Sequence, residues 1–203
     1  MSAPLRKTSV DSTRAKIRQT AERLFAQEGV DPVTLRQIAR AAGQSNVSAV
    51  QYHFGTKEKL LEEILAAHLD GIDRRRREML DDQEQRGDPH NLALLMRTLI
   101  DPLTEKLDDP SGRAYLQIQA RNTTQLEMRP ATRLMTTRIA RALGGETPSA
   151  LAERFSVVLL FGALAERAEQ EASGAAGPHD RSEFVDGLSR ALLGVFRGVA
   201  STA

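Results

Sequence analysis

The apolar residues of this chain recur at the spacing of an α-helix, and no stretch alternates apolar and polar residues for long. Ile17, Ala21 and Phe25, for example, fall on one face of a helix predicted over residues 12–28. Turns that contain glycine or proline separate this helix from the apolar stripes that follow. The pattern therefore predicts an all-α fold of about nine helices.

Three of these helices fall within the first sixty residues. The second can begin at a Thr34 cap and stops at Gly43, and the third directs Val50 and Phe54 inward. Two short helices joined by a glycine-containing turn, with an earlier helix closing their core, form a helix-turn-helix. An ordinary helical hairpin is the alternative that this spacing leaves open.

The outward side of the third helix is polar, with side chains short enough to enter a DNA groove. Asn and Gln can pair with adenine in the major groove, whereas Tyr, Ser and Lys typically donate to phosphates. Lys57 adds a positive charge at the start of the next helix, where the helix dipole favours an anion. The other candidates for DNA contact in this segment are Ser45, Asn46, Ser48, Gln51, Tyr52 and His53.

Charge is unevenly distributed along the chain. Residues 1–60 hold ten Lys and Arg against five Asp and Glu, whereas residues 61–203 hold 18 against 22. A basic N-terminal quarter predicts a head that binds a polyanion, although a solvated basic tail is an alternative interpretation. Residues 1–11 carry no helical period, and we predict that they form a flexible basic arm.

Composition excludes several classes of function. The chain has no cysteine, which rules out disulfides and thiol catalysis and fits a cytoplasmic location. No apolar run is long enough to span a membrane, so no membrane partner is expected. His68, His90 and His179 have no partner at metal-ligand spacing, and no catalytic motif or phosphate loop stands out. We therefore expect no catalytic residues, no metal and no cofactor.

The first three helices resemble the N-terminal domain of TetR-type (tetracycline-repressor-type) bacterial transcriptional regulators over about residues 12–62. The matching positions are Leu24, Phe25, Gly29, Thr34, Ile38, Ala39, Ala42, Gly43, Tyr52, Phe54, Lys57, Glu58, Leu60 and Leu61. The segment between Gly43 and the Tyr-x-Phe signature is one residue longer than in the commonest form of the family. The recognition helix can therefore start at Ser45, Asn46 or Val47.

The resemblance implies a regulator that binds a palindromic double-stranded operator as a homodimer, most simply a repressor released by a small molecule. It implies a helix-turn-helix domain over residues 12–58 and a helical ligand-binding and dimerisation domain over residues 59–203. It also implies that Thr34 caps the second helix and bonds a phosphate, and that Arg36 reaches a phosphate or a base edge. Phosphate-gripping residues are then Tyr52, His53 and Lys57, and candidate base-reading residues are Asn46, Ser48 and Gln51.

The helical body contains scattered polar groups, and a bundle of this kind suits a pocket for a small molecule, most simply an apolar effector. The candidate lining residues are Met96, Tyr115, Gln119, Asn122, Met128 and Phe155. Filling of the core is the alternative for each of them.

The Arg74 to Arg77 run is interpreted as a solvated helix face rather than as a nucleic-acid patch.

The last helix carries a stripe of small residues. Glycine costs about 1 kcal/mol in a helix interior, so three glycines there call for a reason, and close approach of another helix is one. Together with the preceding long helix, the stripe predicts a four-helix dimer interface; a loosely formed terminal helix is the alternative. The predicted interface residues are Gly162, Ala163, Gly187, Leu188, Ala191, Gly194, Val195 and Gly198.

Two other function classes remain open from the sequence. One is a helical interaction module whose basic head binds a protein partner. The other is an enzyme with an appended DNA-binding head, for which the body offers no catalytic constellation.

Overall fold

A computed structural model of the protein describes residues 5–122, 128–145 and 150–200. Within these ranges the chain forms nine α-helices and no strand, which confirms the all-α prediction. The helices are α1 (Leu5–Glu28), α2 (Leu35–Ala41), α3 (Ser48–Phe54), α4 (Lys57–Gln85), α5 (Leu92–Thr104), α6 (Pro110–Arg121), α7 (Pro130–Ala142), α8 (Ala150–Ser173) and α9 (Arg181–Ala200). Short 3-10 turns lie at Glu105–Asp108 and Pro178–Asp180.

The chain divides into two compact units, Met1–His68 and Leu69–Ala203. The division falls inside α4, later than the predicted joint between residues 58 and 59. The long helix α4 contains no proline, and its apolar stripe continues past the predicted joint, so no sequence feature marks the boundary.

The first unit has a core to which all four of its helices contribute. The Glu22 carboxylate of α1 and the His68 ring of α4 add a buried polar contact, 2.7 Å between Oε1 and Nε2. The buried apolar residues of this unit are Ile17, Ala21, Phe25, Ala26, Val33, Ile38, Ala39, Ala42, Val50, Phe54, Leu60 and Ile64. Helix α1, the two short helices α2 and α3, and the start of α4 are thereby held around one apolar centre.

The start of α1 differs from the prediction. The chain is helical from Leu5 rather than from residue 12, and residues 1–4 of the predicted arm lie outside the described residues. No glycine or proline occurs between Leu5 and Glu28, so nothing breaks the helix. The apolar period used for the prediction begins only at Ile17, which is why it missed the earlier turns.

The second unit is a bundle in which α8 packs against α6 and α9, and α5 packs against α7 and α9. The 3-10 turn after α5 lies tightly against α6. A Cβ atom at Gly112 would overlap the backbone carbonyl of Lys106, so this contact requires a glycine. None of the helices, over the residues described, combines the length and apolar character needed to cross a membrane.

One of the four consecutive arginines on α4 is not solvated as predicted. Arg76 is only 6% exposed, whereas Arg74, Arg75 and Arg77 lie at the surface. Successive helical residues point about 100° apart, so a run of four spans the circumference and one of them must face the core.

Candidate nucleic-acid interface

The start of α3 is fixed by a side chain that lies before it. Asn46 Oδ1 accepts hydrogen bonds from both the backbone N–H and the hydroxyl of Ser48, each at 3.0 Å. Regular helix then begins at Ser48 with Val47 as the N-cap residue. Ser45 and Asn46 therefore lie in the turn, and regular helix starts at Ser48, one residue after the latest of the three predicted points.

The end of α3 is fixed by a glycine. Gly55 has a φ of +75°, which side chains disfavour, and its N–H donates to the Gln51 carbonyl. Thr56 follows at once and accepts from the Lys59 N–H at 3.2 Å, which caps α4. The seven residues of α3 are thereby bounded on both sides by local hydrogen bonds.

The two faces of α3 differ sharply in exposure. Val50 is fully buried and Phe54 is 7% exposed, whereas Tyr52 between them in sequence is 82% exposed. Gln51 is also exposed, and the His53 ring lies edge-on to Tyr52, 5.3 Å between centroids. An aromatic ring held out in this way contributes almost nothing to the core, so its area and hydroxyl remain available to a partner.

The beginning of α2 carries a reciprocal capping box. The Thr34 hydroxyl accepts from the Gln37 N–H at 3.2 Å, and Gln37 Oε1 accepts from the Thr34 N–H at 2.8 Å. The hydroxyl proton of Thr34 is directed at the same Oε1, 2.7 Å away. The predicted cap is present, and this hydroxyl must release Gln37 before it can donate to a phosphate.

The Lys57 side chain ties the first turn of α4 to the loop between α1 and α2. Its ammonium donates to the carbonyls of Val30 at 3.0 Å and Asp31 at 3.1 Å. An ammonium has three N–H donors, so one remains for an anion. No local pattern predicts this structural contact, because the loop is twenty-six residues away along the chain.

The predicted DNA-contact residues all belong to the first unit, and all of them are exposed or half-buried. In the part of the chain that the structure describes, the side chains of Arg36 and Gln51 form no hydrogen bond or ion pair. Sequence analysis missed Arg14 of α1, whose guanidinium lies 5.0 Å from the Phe54 ring centre and pairs with Glu63. This cation–π contact supports α3 from its inner side.

The second unit contains a cavity of about 70 Å³ with a mostly apolar wall. Of the six predicted lining residues, the structure brings Tyr115 and Met128 to this cavity. Met96 is buried elsewhere in the core, Gln119 donates to the Tyr115 hydroxyl at 3.3 Å, and Asn122 lies at the C-cap of α6.

Phe155 is not at the cavity either, since half of its surface is exposed. The cavity face of α8 is formed instead by Ser156, Val157 and Leu160. Successive residues of a helix point about 100° apart, so Phe155 is turned away from the wall that Ser156 forms.

The cavity wall also contains two ionisable residues that were not predicted to line it, Arg76 and Glu153. Arg76 lines the cavity, and burial lowers the pKa of its guanidinium to about 10. Burial likewise raises the pKa of Tyr115 and of Glu153, with Arg133 opposing the shift at Glu153. The sequence does not show which of the four consecutive arginines is buried, because all four carry the same charge.

One outward stripe on each of α8 and α9 is made of small or apolar residues. Gly162, Gly194 and Gly198 have open space where a side chain would lie, and Ala191 is exposed. Ala163, Gly187 and Val195 are partly exposed, whereas Leu188 is buried within the unit. The same face of α8 holds three half-exposed apolar side chains, those of Leu151, Phe155 and Val158.

Comparison with known proteins places these features in a family. The family model described as "Bacterial regulatory proteins, tetR family" matches residues 17–64. The HTH-type transcriptional repressor KstR2 of Mycobacterium tuberculosis is 35% identical over 72 residues, which cover 36% of this chain and 36% of that protein. The HTH-type transcriptional regulator AcrR of Shigella flexneri is 32% identical over 112 residues, 55% of this chain and 50% of that protein. The matched region thus spans half or less of each of these relatives.

A solved structure extends the likeness of fold beyond the N-terminal domain. NalD, the secondary repressor of the MexAB-OprM multidrug efflux pump in Pseudomonas aeruginosa, superposes with a TM-score of 0.54 and 21% identity. The superposition covers 90% of this chain and 96% of that one. Residues 17–64 therefore carry the N-terminal helix-turn-helix domain of the tetR family of bacterial regulatory proteins, and the described chain has an all-helical fold like that of NalD.

Proposed function

We propose that this chain is a sequence-specific DNA-binding transcriptional regulator, a repressor that a small molecule releases from its operator. One observation carries the proposal: α3 buries Val50 and Phe54 while it holds Gln51 and an 82% exposed Tyr52 outward. A helix with a rigid apolar side and a free polar side fits the major groove. The basic charge of residues 1–60 supplies the attraction to phosphate.

The proposed contacts divide into base-reading and phosphate-gripping residues. Gln51 is the principal base reader, because its amide is free of other hydrogen bonds in the described chain. Arg36, also free, reaches a phosphate or a base edge. Residues proposed to position the head on the phosphate backbone are Thr34, Tyr52, His53 and Lys57, with secondary base contacts from Ser45, Asn46 and Ser48.

We propose that the chain acts as a homodimer through the outward faces of α8 and α9. Support comes from the open glycine positions on both helices and from the half-exposed Phe155 and Val158. Leu188 is left out of this interface, since it is buried within its own unit. Two heads related by a twofold axis require a palindromic operator. A regulator of chromosomal DNA in a bacterium acts in the cytoplasm, which is the proposed location.

The proposed effector site is the cavity of the second unit. A ligand bound there can release the operator only if it has different affinities for the DNA-competent state and another state. Coupling free energies of this kind change affinity about 5–150-fold. The names of the relatives, which include two transcriptional repressors, support repression rather than activation.

The test is a gel shift with the purified full chain and the DNA upstream of its own gene. We expect a complex that survives excess random DNA, since specific sites are typically bound about 10³–10⁷ times more tightly. The matched control is a fragment of the same length and base composition in scrambled order. Equal affinity for both fragments would leave the basic head without sequence specificity, and the absence of any complex would favour a protein partner.

A further inference from the structure

A buried positive charge with no ion-pair partner among the described residues lies in the wall of the cavity. Arg76 is 6% exposed, and it forms no ion pair within the described residues. Isolated buried charges are costly, so proteins usually pair them. The guanidinium keeps its proton at neutral pH, because burial lowers its pKa only to about 10.

The surroundings of Arg76 orient the guanidinium without neutralising it. Its Nη2 donates to the Leu99 carbonyl at 2.9 Å, its Nη1 to the Thr132 hydroxyl at 2.8 Å, and its Nε to the Thr98 carbonyl at 3.4 Å. A guanidinium has five N–H donors, so two are left, one on each terminal nitrogen. With one free donor on each terminal nitrogen, the guanidinium can still pair with a carboxylate.

The carboxylate one turn earlier on α4 is engaged elsewhere. Asp73 Oδ2 accepts from Arg77 at 3.1 Å, and its Oδ1 accepts from the Ala131 N–H at 2.9 Å. Asp73 therefore attracts the positive charge of Arg76 from a distance, and it accepts no hydrogen bond from the two free N–H donors of Arg76.

A second polar group in the same wall has no partner. Ser156 is 5% exposed, it lines the cavity from α8, and its hydroxyl forms no hydrogen bond in the structure. A buried hydroxyl left unsatisfied costs about 1–3 kcal/mol, so an absent partner is indicated. The hydroxyl can donate to an oxygen atom of a ligand.

We propose that the cavity binds an amphipathic carboxylate, with its anionic head paired to Arg76, one oxygen accepting from Ser156, and a short apolar body among the aliphatic and aromatic side chains. This inference rests on the proposed function, because it gives the effector a chemical class. The apolar wall includes Ile72, Leu99, Leu103 and Phe161. A volume of about 70 Å³ takes only a short body, and the flexible Met128 in the wall can make room for a longer one.

Glu153 is the acidic group in the wall that an anionic ligand must tolerate. It is partly exposed, and Arg133 attracts its negative charge. Because solvent reaches Glu153 and does not reach Arg76, the repulsion is screened more strongly than the attraction. The balance favours an anion at Arg76.

The test compares butanoate, hexanoate and octanoate with the primary amide of each, by calorimetry and thermal unfolding of the full chain at neutral pH. Amides have nearly the same shape and no charge. We expect the carboxylates to bind at least about tenfold more tightly, the effect of a charge-assisted hydrogen bond. Equal affinity of acids and amides, or no binding by any acid, overturns the proposal.

Three variants locate the site. Ser156→Ala should weaken carboxylate binding several-fold while the ligand-free protein stays as stable as the parent, because no hydrogen bond is lost. Ser189→Ala removes another unpartnered buried hydroxyl, outside the cavity wall, and should leave binding unchanged. Arg76→Gln should abolish the preference for acids over amides. If Arg76→Gln does not fold, Ser156→Ala decides: unchanged carboxylate affinity in that variant overturns the proposal.

An operator-binding measurement in the same samples separates this inference from the proposed function. Carboxylates that bind the cavity in a chain that has no affinity for operator DNA would refute the regulator and leave the ligand class intact. A chain that binds its operator but shows no preference for acids over amides would refute the ligand class alone.

Discussion

Gln51 and Asn46 are both amides on the outward side of the α3 region, and their hydrogen bonds set them apart. Asn46 uses its oxygen to hold the backbone and hydroxyl of Ser48, whereas Gln51 makes no such bond. Bidentate pairing with adenine needs both the oxygen and the nitrogen of an amide. Gln51 can therefore pair with a base without breaking a hydrogen bond inside the protein, whereas Asn46 must first release Ser48.

We predict that Gln51→Ala lowers operator affinity by about 1–3 kcal/mol per half-site and leaves random-DNA affinity unchanged. Asn46→Ala should instead lower thermal stability, because the start of α3 loses both hydrogen bonds from Ser48, and should weaken binding to both kinds of DNA together. Tyr52→Phe is the control for packing, since it removes one exposed hydroxyl and should reduce both affinities modestly. Fluorescence anisotropy with operator and scrambled DNA measures the affinities of all three variants. If Gln51→Ala lost the same affinity for both kinds of DNA, base reading would belong to another residue.

Lys57→Ala should have two separable effects. The loss of one proposed phosphate contact in each subunit should reduce the slope of log affinity against log salt by about 0.9 per contact, roughly two for a dimer. The loss of two hydrogen bonds to the α1–α2 loop should also destabilise the head by about 1–3 kcal/mol. Salt titration and urea unfolding measure the two effects. A destabilised head with an unchanged salt slope would make Lys57 a purely structural residue.

At the residue scale, the sequence predicted inward and outward positions of α3 well and hydrogen-bond partners poorly. Val50 and Phe54 follow from helical spacing, and the Thr34 cap follows from a local motif. The Lys57 contact joins residues far apart along the chain, and the burial of Arg76 depends on which of four arginines faces the core. Neither the Lys57 contact nor the burial of Arg76 produces a periodic pattern in the sequence.

The open face of α9 makes Gly194 a sharp test of assembly. A Cβ atom there meets no atom of its own protomer within 4 Å, and leucine favours the helix over glycine. We therefore predict that Gly194→Leu keeps a folded, helical protomer but separates the dimer by overpacking the seam. Sedimentation at concentrations where the parent is dimeric measures this. Arg141→Leu adds a leucine to the exposed surface of α7 and should remain dimeric; an unchanged dimer in Gly194→Leu would remove α9 from the interface.

Gly112→Ala tests the close contact between α6 and the preceding 3-10 turn. The added Cβ overlaps a backbone carbonyl of Lys106, which cannot move as a side chain can. We predict a loss of about 1–3 kcal/mol in unfolding free energy, the usual cost of overpacking. Gln117→Ala on the same helix, at a partly exposed position, should be nearly neutral in urea unfolding. Equal stability of both variants would show that the turn can shift away from α6.

At the element scale, capping residues and helix-breaking residues in the sequence predicted the ends of most helices. The errors in the predicted ends lie where no such residue is present. α2 begins where Thr34 was expected to cap it, and α4 begins directly after the Thr56 cap. α1 starts earlier than predicted because its first turns are polar and lack an apolar period. A helix that has no breaker extends past the region that buries it.

Over the whole molecule, two compact units carry different chemistry. The first holds the polar face of α3, and the second holds the cavity and the small outward faces of α8 and α9. The charge division along the chain predicted this separation of roles, since residues 1–60 are basic and the remainder is slightly acidic. Which body residues form the cavity could not be predicted, because every helix of the bundle has more apolar positions than one face can use.

The most direct test of sequence-specific binding through α3 is a hydroxyl-radical footprint of the full chain on the DNA upstream of its gene. A dimer with two α3 helices should protect two palindromic segments, centred about one helical turn or a small multiple apart. The Gln51→Ala variant should lose this pattern at concentrations where the parent gives full protection. Uniform protection along the fragment, or a footprint that Gln51→Ala leaves unchanged, would contradict sequence-specific binding through α3.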